Sequence, residues 1–162
     1  MGAVARRRGG AAGAPLISAA GADDVEALRE LFGEYAAWLG EQGWFPDLEA
    51  EIAALPEGYD FFLLAREGDR VLGCVALKPL PDGACELKRL YVRPGARGRG
   101  LGRALAEAAV AEARRLGYAI LRLDTLPAME AASAIYVSLG FRPTDRFNDN
   151  PIEGVVFFEL AL

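Results

Sequence analysis

Arginine and glycine are concentrated in residues 91–105, which read YVRPGARGRGLGRAL and hold four of each. This stretch lies between a strand-like apolar run and an alanine-rich run with helical spacing, so the glycines precede a predicted helix N-terminus. Unpaired N–H groups and a partial positive charge make such a terminus an anion site, most often for phosphate. Glycines let the backbone approach a ligand closely, and arginines add charge-assisted hydrogen bonds. The stretch therefore predicts a phosphate-bearing ligand. The alternative is a loop that only turns a corner beside solvated arginines.

The spacing of the glycines disagrees with two common phosphate motifs. The P-loop pattern GxxxxGK[ST] fails because no lysine follows any of these glycines. The dinucleotide pattern GxGxxG begins with Gly98 and Gly100, but Arg103 stands where the third glycine belongs. A nucleotide triphosphatase and a dinucleotide enzyme are both poor interpretations of the stretch.

The residue types available for catalysis are limited, because the chain contains no histidine. That excludes Ser-His-Asp and Cys-His catalysis and argues against a zinc site, so we expect no metal. Cys74 and Cys85 are the two cysteines. A hairpin turning at Pro81-Asp82 would place Cys74 opposite Arg89, roughly 13 Å along the ladder from Cys85. That separation is too large for a disulfide, which predicts free thiols and a reducing, cytoplasmic setting.

Length and charge limit the class of protein. The 162 residues fit one domain, and the net charge is −5 although Arg6, Arg7 and Arg8 lie near the N-terminus. An acidic body argues against nucleic-acid binding and suits an amine substrate, although solubility alone would also explain it. We expect residues 1–14 to form a disordered tail, with a nucleic-acid-binding arm as the weaker alternative. No apolar run is long enough for a membrane span, and the N-terminus lacks a signal-peptide core.

Apolar periodicity and turn residues predict the order β-α-α-β-β-β-α-β-α-β-β. The first helix is expected to start at a capping box formed by Asp23 and Glu26, and the last helix at Pro127. A meander followed by strand-helix-strand predicts an α/β (α+β) fold, with a mixed sheet and helices on both faces. The predicted strands cover residues 15–19, 60–67, 70–80, 84–92, 118–125, 141–143 and 154–162, and the predicted helices cover 23–39, 47–55, 101–117 and 127–140.

Two motifs together resemble a known family. The order Arg97-x-x-Gly100-x-Gly102, between a strand and a long helix, resembles the acetyl-CoA signature [RQ]xxGx[GA] of the GCN5-related N-acetyltransferase (GNAT) family. The segment AIYVSLGF at 134–141 resembles the family's A-x-x-x-Y-x-x-x-G-F. The resemblance covers about residues 15–162. It implies one GNAT-like domain with a mostly antiparallel sheet of six to seven strands and about four helices, which moves an acetyl group from acetyl-CoA to an amine.

The resemblance also implies where coenzyme A binds. The pyrophosphate is expected on the backbone N–H groups of residues 97–103, and the pantetheine arm beside residues 90–92, with the N–H of Val92 as the oxyanion donor. Many relatives carry an asparagine seven residues before the motif tyrosine. Met129 stands there in this chain, and Ser133 is the expected substitute. The full set of expected cofactor contacts is Leu90, Tyr91, Val92, Arg97, Gly98, Arg99, Gly100, Leu101, Gly102, Arg103, Ser133 and Tyr136.

Two side chains are candidates for proton transfer. Glu86, six residues before Val92, is where many relatives carry a catalytic glutamate, so we expect it to be the general base. The alternative is a strand glutamate paired with Lys88 or an arginine. Tyr136 matches the family tyrosine near the sulfur of coenzyme A and is the expected general acid. The alternative is a half-buried packing tyrosine.

The acceptor is less well determined. Aromatic residues accompany carboxylates in the first two helices and their joining loop, which suits a cationic amine with an apolar body, unless the aromatics belong to the core. The expected acceptor contacts are Tyr35, Trp38, Trp44 and Phe45. A small-molecule amine is favoured, and a peptide or protein acetyltransferase and a non-catalytic CoA-binding sensor stay open. The segments LDTLP and NDNPIEG look like those of a bacterial subgroup, and a homodimer is plausible.

Overall fold

The computed structural model describes residues 14–40 and 47–162. Apart from Ala14, the tail predicted over residues 1–14 lies outside the described residues. The elements are β1 Leu16–Ala19, α1 Val25–Gly40, α2 Leu48–Ala54, β2 Phe61–Glu67, β3 Arg70–Pro79, β4 Cys85–Val92, α3 Leu101–Arg115, β5 Ile120–Thr125, α4 Glu130–Ser138, β6 Arg142–Pro143 and β7 Val156–Ala161. This order confirms the predicted one. None of the described helices is long and apolar enough to cross a membrane.

The strands form one seven-stranded sheet in the order β1-β2-β3-β4-β5-β7-β6. Of its strand pairs, β4–β5 is parallel and the others are antiparallel. That parallel pair is short, because only Cys85 and Glu86 of β4 are in register with β5. Over the rest of its length β4 diverges from β5 and leaves an opening between the two strands. The predicted mixed, mostly antiparallel sheet is therefore confirmed.

A bulge in β4 changes the predicted register with β3. The pairing shifts between Cys74 and Ala76, and Arg89 on β4 has a left-handed φ of 59°. Cys74 consequently pairs with Tyr91, so the predicted pairing with Arg89 was wrong. The turn is centred on Asp82 rather than between Pro81 and Asp82, which moves the partner of Cys74 by one residue, and the bulge moves it by one more. Both cysteines are buried free thiols.

Helices cover both faces of the sheet, as predicted. On one face α3 packs small and branched side chains, such as Leu105 and Ala109, against Leu87 and Leu121 of the central strands. On the other face α1 packs Leu28, Leu31 and Phe32 against Leu64 and Cys74. On β5, and on β4 before the bulge, odd-numbered residues therefore face α3 and even-numbered residues face the other side. The face covered by α1 carries the polar residues of the candidate site.

The two helix starts differ from the prediction for local reasons. The carboxylate of Asp24, not of Asp23, accepts the N–H of Gly21 at 2.7 Å and also pairs with Arg66 at 2.6 Å. A 3-10 turn at Ala22–Asp24 therefore precedes α1, and Glu26 pairs with Arg29 instead. The last helix starts at Glu130 rather than Pro127, because the N–H of Met129 closes a turn on the carbonyl of Leu126 at 2.9 Å.

Candidate active site

The opening between β4 and β5 presents backbone groups of β4. The N–H of Arg93 donates to the carbonyl of Leu72 on β3 at 2.8 Å. Because backbone groups alternate sides along a strand, the N–H and C=O of Val92 point away from β3, into the opening. The Val92 carbonyl accepts Nε of Arg97 at 2.9 Å, and the Arg97 guanidinium lies 5.8 Å from the ring centre of Tyr91. The strand edge thus offers an extended ligand both a donor and an acceptor.

The loop after β4 forms a cradle of N–H groups. Gly98 and Gly100 have left-handed φ values of 79° and 76°, and Gly100 is the N-cap of α3. In the described part of the chain, the N–H groups of residues 98–103 donate to no other group. No atom lies within 4 Å of where a side chain at Gly98 or Gly100 would begin, so the loop is open on that side. Such a cradle at a helix N-terminus fits a pyrophosphate.

A cleft of about 870 Å³ lies on the α1 face of the sheet. Its walls come from α1, α2, the strands β3, β4 and β5, and the segment between β6 and β7. The described residues that line it are Tyr35, Leu39, Asp47, Leu48, Glu51, Lys78, Pro79, Leu80, Pro81, Glu86, Lys88, Arg89, Asp124, Thr125, Leu126, Met129, Phe147, Asn148, Asp149, Asn150 and Pro151. This volume is within the range of small-molecule sites.

Glu86 lies on the wall of this cleft, at the last β4 residue that pairs with β5. Its side chain is buried, and Lys88 lies beside it with its Nζ 3.5 Å from Oε1. Burial raises the pKa of Glu86, Lys88 opposes this shift, and the charge of Asp124 adds to it. The side-chain amide of Asn148 donates to the same oxygen at 3.3 Å. A carboxylate with a raised pKa in a cleft can take a proton from a ligand.

The sequence comparisons agree with this geometry. The model of the Acetyltransferase (GNAT) family matches residues 25–141. The chain belongs to the GNAT family. It is therefore an acyl-CoA-dependent N-acyltransferase that uses acetyl-CoA. An uncharacterized N-acetyltransferase of Schizosaccharomyces pombe is 37% identical over 145 residues, which are 86% of this chain and 89% of that protein.

Solved structures show the same GNAT fold. A proposed acyl-CoA N-acyltransferase from Klebsiella pneumoniae has a TM-score of 0.75 and 29% identity, covering 91% of this chain and 97% of that one. The PaiA N-acetyltransferase of Thermoplasma acidophilum, solved with coenzyme A, has a TM-score of 0.69 and 21% identity, covering 92% and 99%. A bacterial source, a cytoplasmic location and a homodimer stay predictions, and one relative is a yeast protein.

The arginines of the GNAT loop region have different partners. Arg93 donates to Glu34 of α1 at 3.0 Å and to the Val71 carbonyl of β3 at 2.9 Å, so its hydrogen bonds link the helix to the sheet. Arg103 lies at the surface and donates to Glu107 at 2.8 Å. Arg99 also lies at the surface, 2.5 Å from Glu67. These surface pairs are weak, so Arg99 and Arg103 can turn toward an anion at small cost.

Tyr136 is packed, as one of the two interpretations of the sequence expected, and its role as general acid stays a prediction. Its ring is buried and stands edge-on to Phe141, with 5.7 Å between the ring centres. Burial raises the pKa of Tyr136, and the charges of Tyr35 and Asp124 raise it further. Its hydroxyl makes no hydrogen bond with any described residue. Tyr136 is therefore a packed side chain whose phenol keeps its proton near neutral pH.

Asp124 is a site residue that the sequence reasoning missed. It lies at the end of β5, half-buried in the cleft, and its Oδ2 accepts the amides of Asn148 at 2.7 Å and Asn150 at 3.2 Å. Both asparagines also accept backbone N–H groups through their own Oδ1, which fixes the segment. The available signal was the pair of segments LDTLP and NDNPIEG, whose polar residues had no assigned partners.

The cleft wall formed by α2 and β4 contains a second feature that the sequence did not reveal. Arg89, at the bulge, donates to Oε2 of Glu51 from Nε at 3.1 Å and from its terminal nitrogen at 2.6 Å. The Arg89 guanidinium also lies 5.7 Å from the ring centre of Tyr35. Burial raises the pKa of Glu51, but Arg89 and the hydroxyl of Tyr59 together outweigh this effect and lower the pKa. The pair links α2 to the sheet.

The predicted acceptor residues divide into three groups. Tyr35 lines the cleft, with its ring 6.0 Å from that of Tyr91. Trp38 packs beside Leu39 in a cluster of apolar side chains, next to Tyr35 rather than in the cleft wall. Trp44 and Phe45 lie outside the described residues.

Ser133, the expected pantetheine contact on α4, lies one turn after Met129, the N-cap of that helix. Met129, which replaces the family asparagine, lines the cleft. Its sulfur accepts a hydrogen bond from the Thr125 hydroxyl at 3.5 Å. Ser133 is half-buried, and its N–H bonds the Met129 carbonyl at 3.0 Å. The role of Ser133 stays a prediction.

Proposed function

We propose that this protein transfers the acetyl group of acetyl-CoA to the primary amine of a small molecule while both substrates are bound. The observation that carries the proposal is Glu86, a buried carboxylate with a raised pKa that faces a cleft of about 870 Å³ beside the β4–β5 opening. Walls from helices, strands and the 147–151 segment favour a small acceptor over a peptide chain.

Proton removal from the acceptor is the first task. An alkylammonium has a pKa near ~10, so at neutral pH it is protonated and cannot attack. Glu86, whose pKa is raised by burial, accepts that proton directly or through water. The amine nitrogen then bonds to the acetyl carbon, the carbon–sulfur bond breaks, and the electron pair leaves with the sulfur.

Charge that develops on the acetyl oxygen needs a donor. The N–H of Val92 points into the β4–β5 opening and is the proposed donor. A fixed backbone N–H serves well because it needs no reorganisation when the charge appears. The N–H cradle of residues 98–103 is proposed to hold the pyrophosphate, which fixes the position of the thioester relative to Val92.

The departing sulfur takes up a proton in the proposed mechanism. Tyr136 is the proposed donor, since burial keeps its phenol protonated and its hydroxyl is not committed to a described residue. Its edge-on packing against Phe141 fixes the ring. The nitrogen loses a second proton as the amide forms, and this proton offsets the one that Tyr136 gives to the sulfur. One turnover therefore releases one proton to solvent, the proton that Glu86 took from the ammonium.

The test is a panel of small amines and of peptides with free α-amines or lysines, read by release of the coenzyme A thiol. Thiol release that depends on a small amine, with the N-acetyl product identified by mass, is the expected result. Release with peptides alone would overturn the small-molecule acceptor. Acetyl-CoA binding without release for any acceptor would favour a CoA-binding sensor instead.

A further inference from the structure

The chain uses lysine at only two positions among its 18 basic residues, Lys78 and Lys88. Both line the cleft. Lys78 on β3 is in register with Glu86 on β4, and Lys88 follows two residues later on the same face of β4. The two ammonium groups therefore flank the proposed base, inside a site whose other ligand is expected to be a cation.

The framework of the described protein uses arginine for its ion pairs. Arg66, Arg89 and Arg93 hold Asp24, Glu51 and Glu34, and lysine occurs in one pair, Lys88 with Glu86. Arginine suits fixed, two-point pairing with a carboxylate, whereas lysine is a compact charge with three freely rotating donors. The placement of both lysines in the cleft is thus a property of the site and is not required by the fold.

The lysines have unused hydrogen-bonding capacity. Lys78 is half-buried and makes no ion pair with a described residue, and its Nζ lies 5.9 Å from the ring centre of Tyr59. Among the described residues Lys88 makes one polar contact, at the long distance of 3.5 Å from Glu86. A partly desolvated ammonium with unmet donors is stabilised by an anion.

The carboxylate of Asp124, on the neighbouring strand β5, complements this arrangement. Asp124 is held by two amides and by no described cation, so its charge is free to attract an ammonium. We propose that the acceptor is an amino acid, whose ammonium lies toward Asp124 and Glu86 and whose carboxylate lies toward Lys78 and Lys88. This inference rests on the proposed function and names its substrate class.

The charges favour a carboxylate over a phosphate. Glu86 already offsets part of the charge of Lys88, which leaves Lys78 as the main cation for a ligand. Lys78, Lys88 and Glu86 together carry one net positive charge, which matches a monoanion. The other acids that line the cleft, Asp47, Glu51, Asp124 and Asp149, outnumber its remaining cation, Arg89. A dianionic phosphate would also meet the carboxylates of Glu51, Glu86 and Asp124 along the same walls.

The experiment compares matched acceptors that share a side chain and an amine: a free amino acid, its amide and its decarboxylated amine. Both α- and ω-amino acids are included, with thiol release as the readout. The variant Lys78→Met removes the charge and keeps the apolar stem. Arg70→Met, at the exposed start of the same strand, removes an equal charge outside the cleft and serves as the control.

We expect the free amino acid to have a kcat/KM about 10- to 100-fold above that of its amide or amine, the value of one charge-assisted hydrogen bond. Lys78→Met should erase most of that preference by raising KM for the acid. The charge of Lys78 also opposes the raised pKa of Glu86, so any effect of its loss on the base should be the same for the acid, the amide and the amine. Arg70→Met should change neither the preference nor the KM values.

Equal or faster turnover of the amide and amine by the wild type would overturn the amino-acid acceptor while leaving amine acetylation intact. An equal effect of Lys78→Met on all three acceptors would do the same. No turnover of any acceptor, with acetyl-CoA still bound, would overturn the proposed function and the acceptor class together.

Discussion

Glu86 and Asp124 share one side-chain amide, since Nδ2 of Asn148 lies 3.3 Å from the first carboxylate and 2.7 Å from the second. The two acids come from adjacent parallel strands at the point where those strands part. Their mutual repulsion is one cause of the raised pKa of Glu86, after burial. The Asn148 amide holds the pair together and ties the segment before β7 to the cleft floor. A base and an anion are thereby placed side by side.

Glu86→Gln should lower kcat by about 10²- to 10⁴-fold at neutral pH, the usual contribution of a general base. The amide keeps an oxygen for Asn148 but cannot accept the proton. In the wild type, kcat/KM should rise with pH as Glu86 ionises, at a pH above that of an ordinary glutamate because burial raises its pKa. The pH–rate profile of the variant should lack this rise, which is the acidic limb of the profile. The loss of activity in the variant should shrink at high pH, where the amine loses its proton unaided. A pH–rate profile identical to that of the wild type would remove Glu86 from the role.

Asp124→Asn tests the neighbouring charge with little change of shape. Because Asp124 raises the pKa of Glu86, its removal should lower that pKa and move the acidic limb of kcat/KM to lower pH. KM for the amine should rise, since an anion that faces the ammonium is lost. Glu153→Gln, at an exposed position in the same C-terminal segment, is the matched control and should leave the limb in place. An unmoved limb in Asp124→Asn would show that the two carboxylates do not interact in solution.

The parts of this protein that the sequence predicts correctly are local in the chain. Apolar spacing predicts the strands and helices, and Gly98 and Gly100 indicate a loop with left-handed backbone before α3. These features can be predicted because each depends on residues a few positions apart. The missed features join distant residues. Asp124 meets Asn148 and Asn150 across 24 and 26 residues, and Arg89 meets Glu51 across 38.

Contacts with distant residues also explain the remaining errors. Asp24 takes the capping role predicted for Asp23 because it also reaches Arg66, a residue 42 positions later on β2. The bulge at Arg89 has no local signal either, since arginine seldom adopts a positive φ. The energetic cost of the positive φ of Arg89 is offset by the pairing of its buried guanidinium with Glu51. That contact exists only once α2 has packed against the sheet.

Tyr136→Phe should slow turnover and leave the affinity for acetyl-CoA nearly unchanged. The ring and its contact with Phe141 persist, so the loss isolates the hydroxyl. Because burial raises the pKa of Tyr136, the wild type should show no loss of activity from its ionisation near neutral pH. Calorimetric titration with coenzyme A and steady-state kinetics give the two readouts, with Tyr118→Phe, outside the cleft lining, as the control. Equal kcat in wild type and Tyr136→Phe would refute the acid role.

Gly100→Ala should weaken coenzyme A binding through the backbone alone. A left-handed φ of 76° at an alanine costs about 1–2 kcal/mol, so the loop should relax and misalign its N–H groups. We expect the Kd for coenzyme A to rise by about tenfold, as 1.4 kcal/mol predicts. Gly95→Ala is the control in the same loop, since Gly95 has no positive φ and open space around it. Matching Kd values for the two variants would mean that the conformation of Gly100 does not shape the cradle.

Glu51→Gln tests the pair that joins α2 to the bulge. Removing the charge leaves Arg89 buried without its counter-ion, which should lower the free energy of unfolding by about 3 kcal/mol, the lower end for a buried pair because both side chains keep some solvent contact. The pKa of Glu51 is lowered in the folded protein, since Arg89 and Tyr59 outweigh the effect of burial. The stabilisation is therefore present above the pKa of an unfolded glutamate, near ~4.3, and is lost as pH falls through the folded value.

Denaturant unfolding across this acidic range should show a shallower pH dependence for Glu51→Gln than for the wild type. Glu49→Gln, an exposed neighbour on α2, should keep the wild-type slope. A Glu51→Gln slope equal to that of the Glu49 variant would mean that the ion pair adds no stability, and that packing of α2 alone holds this wall of the cleft.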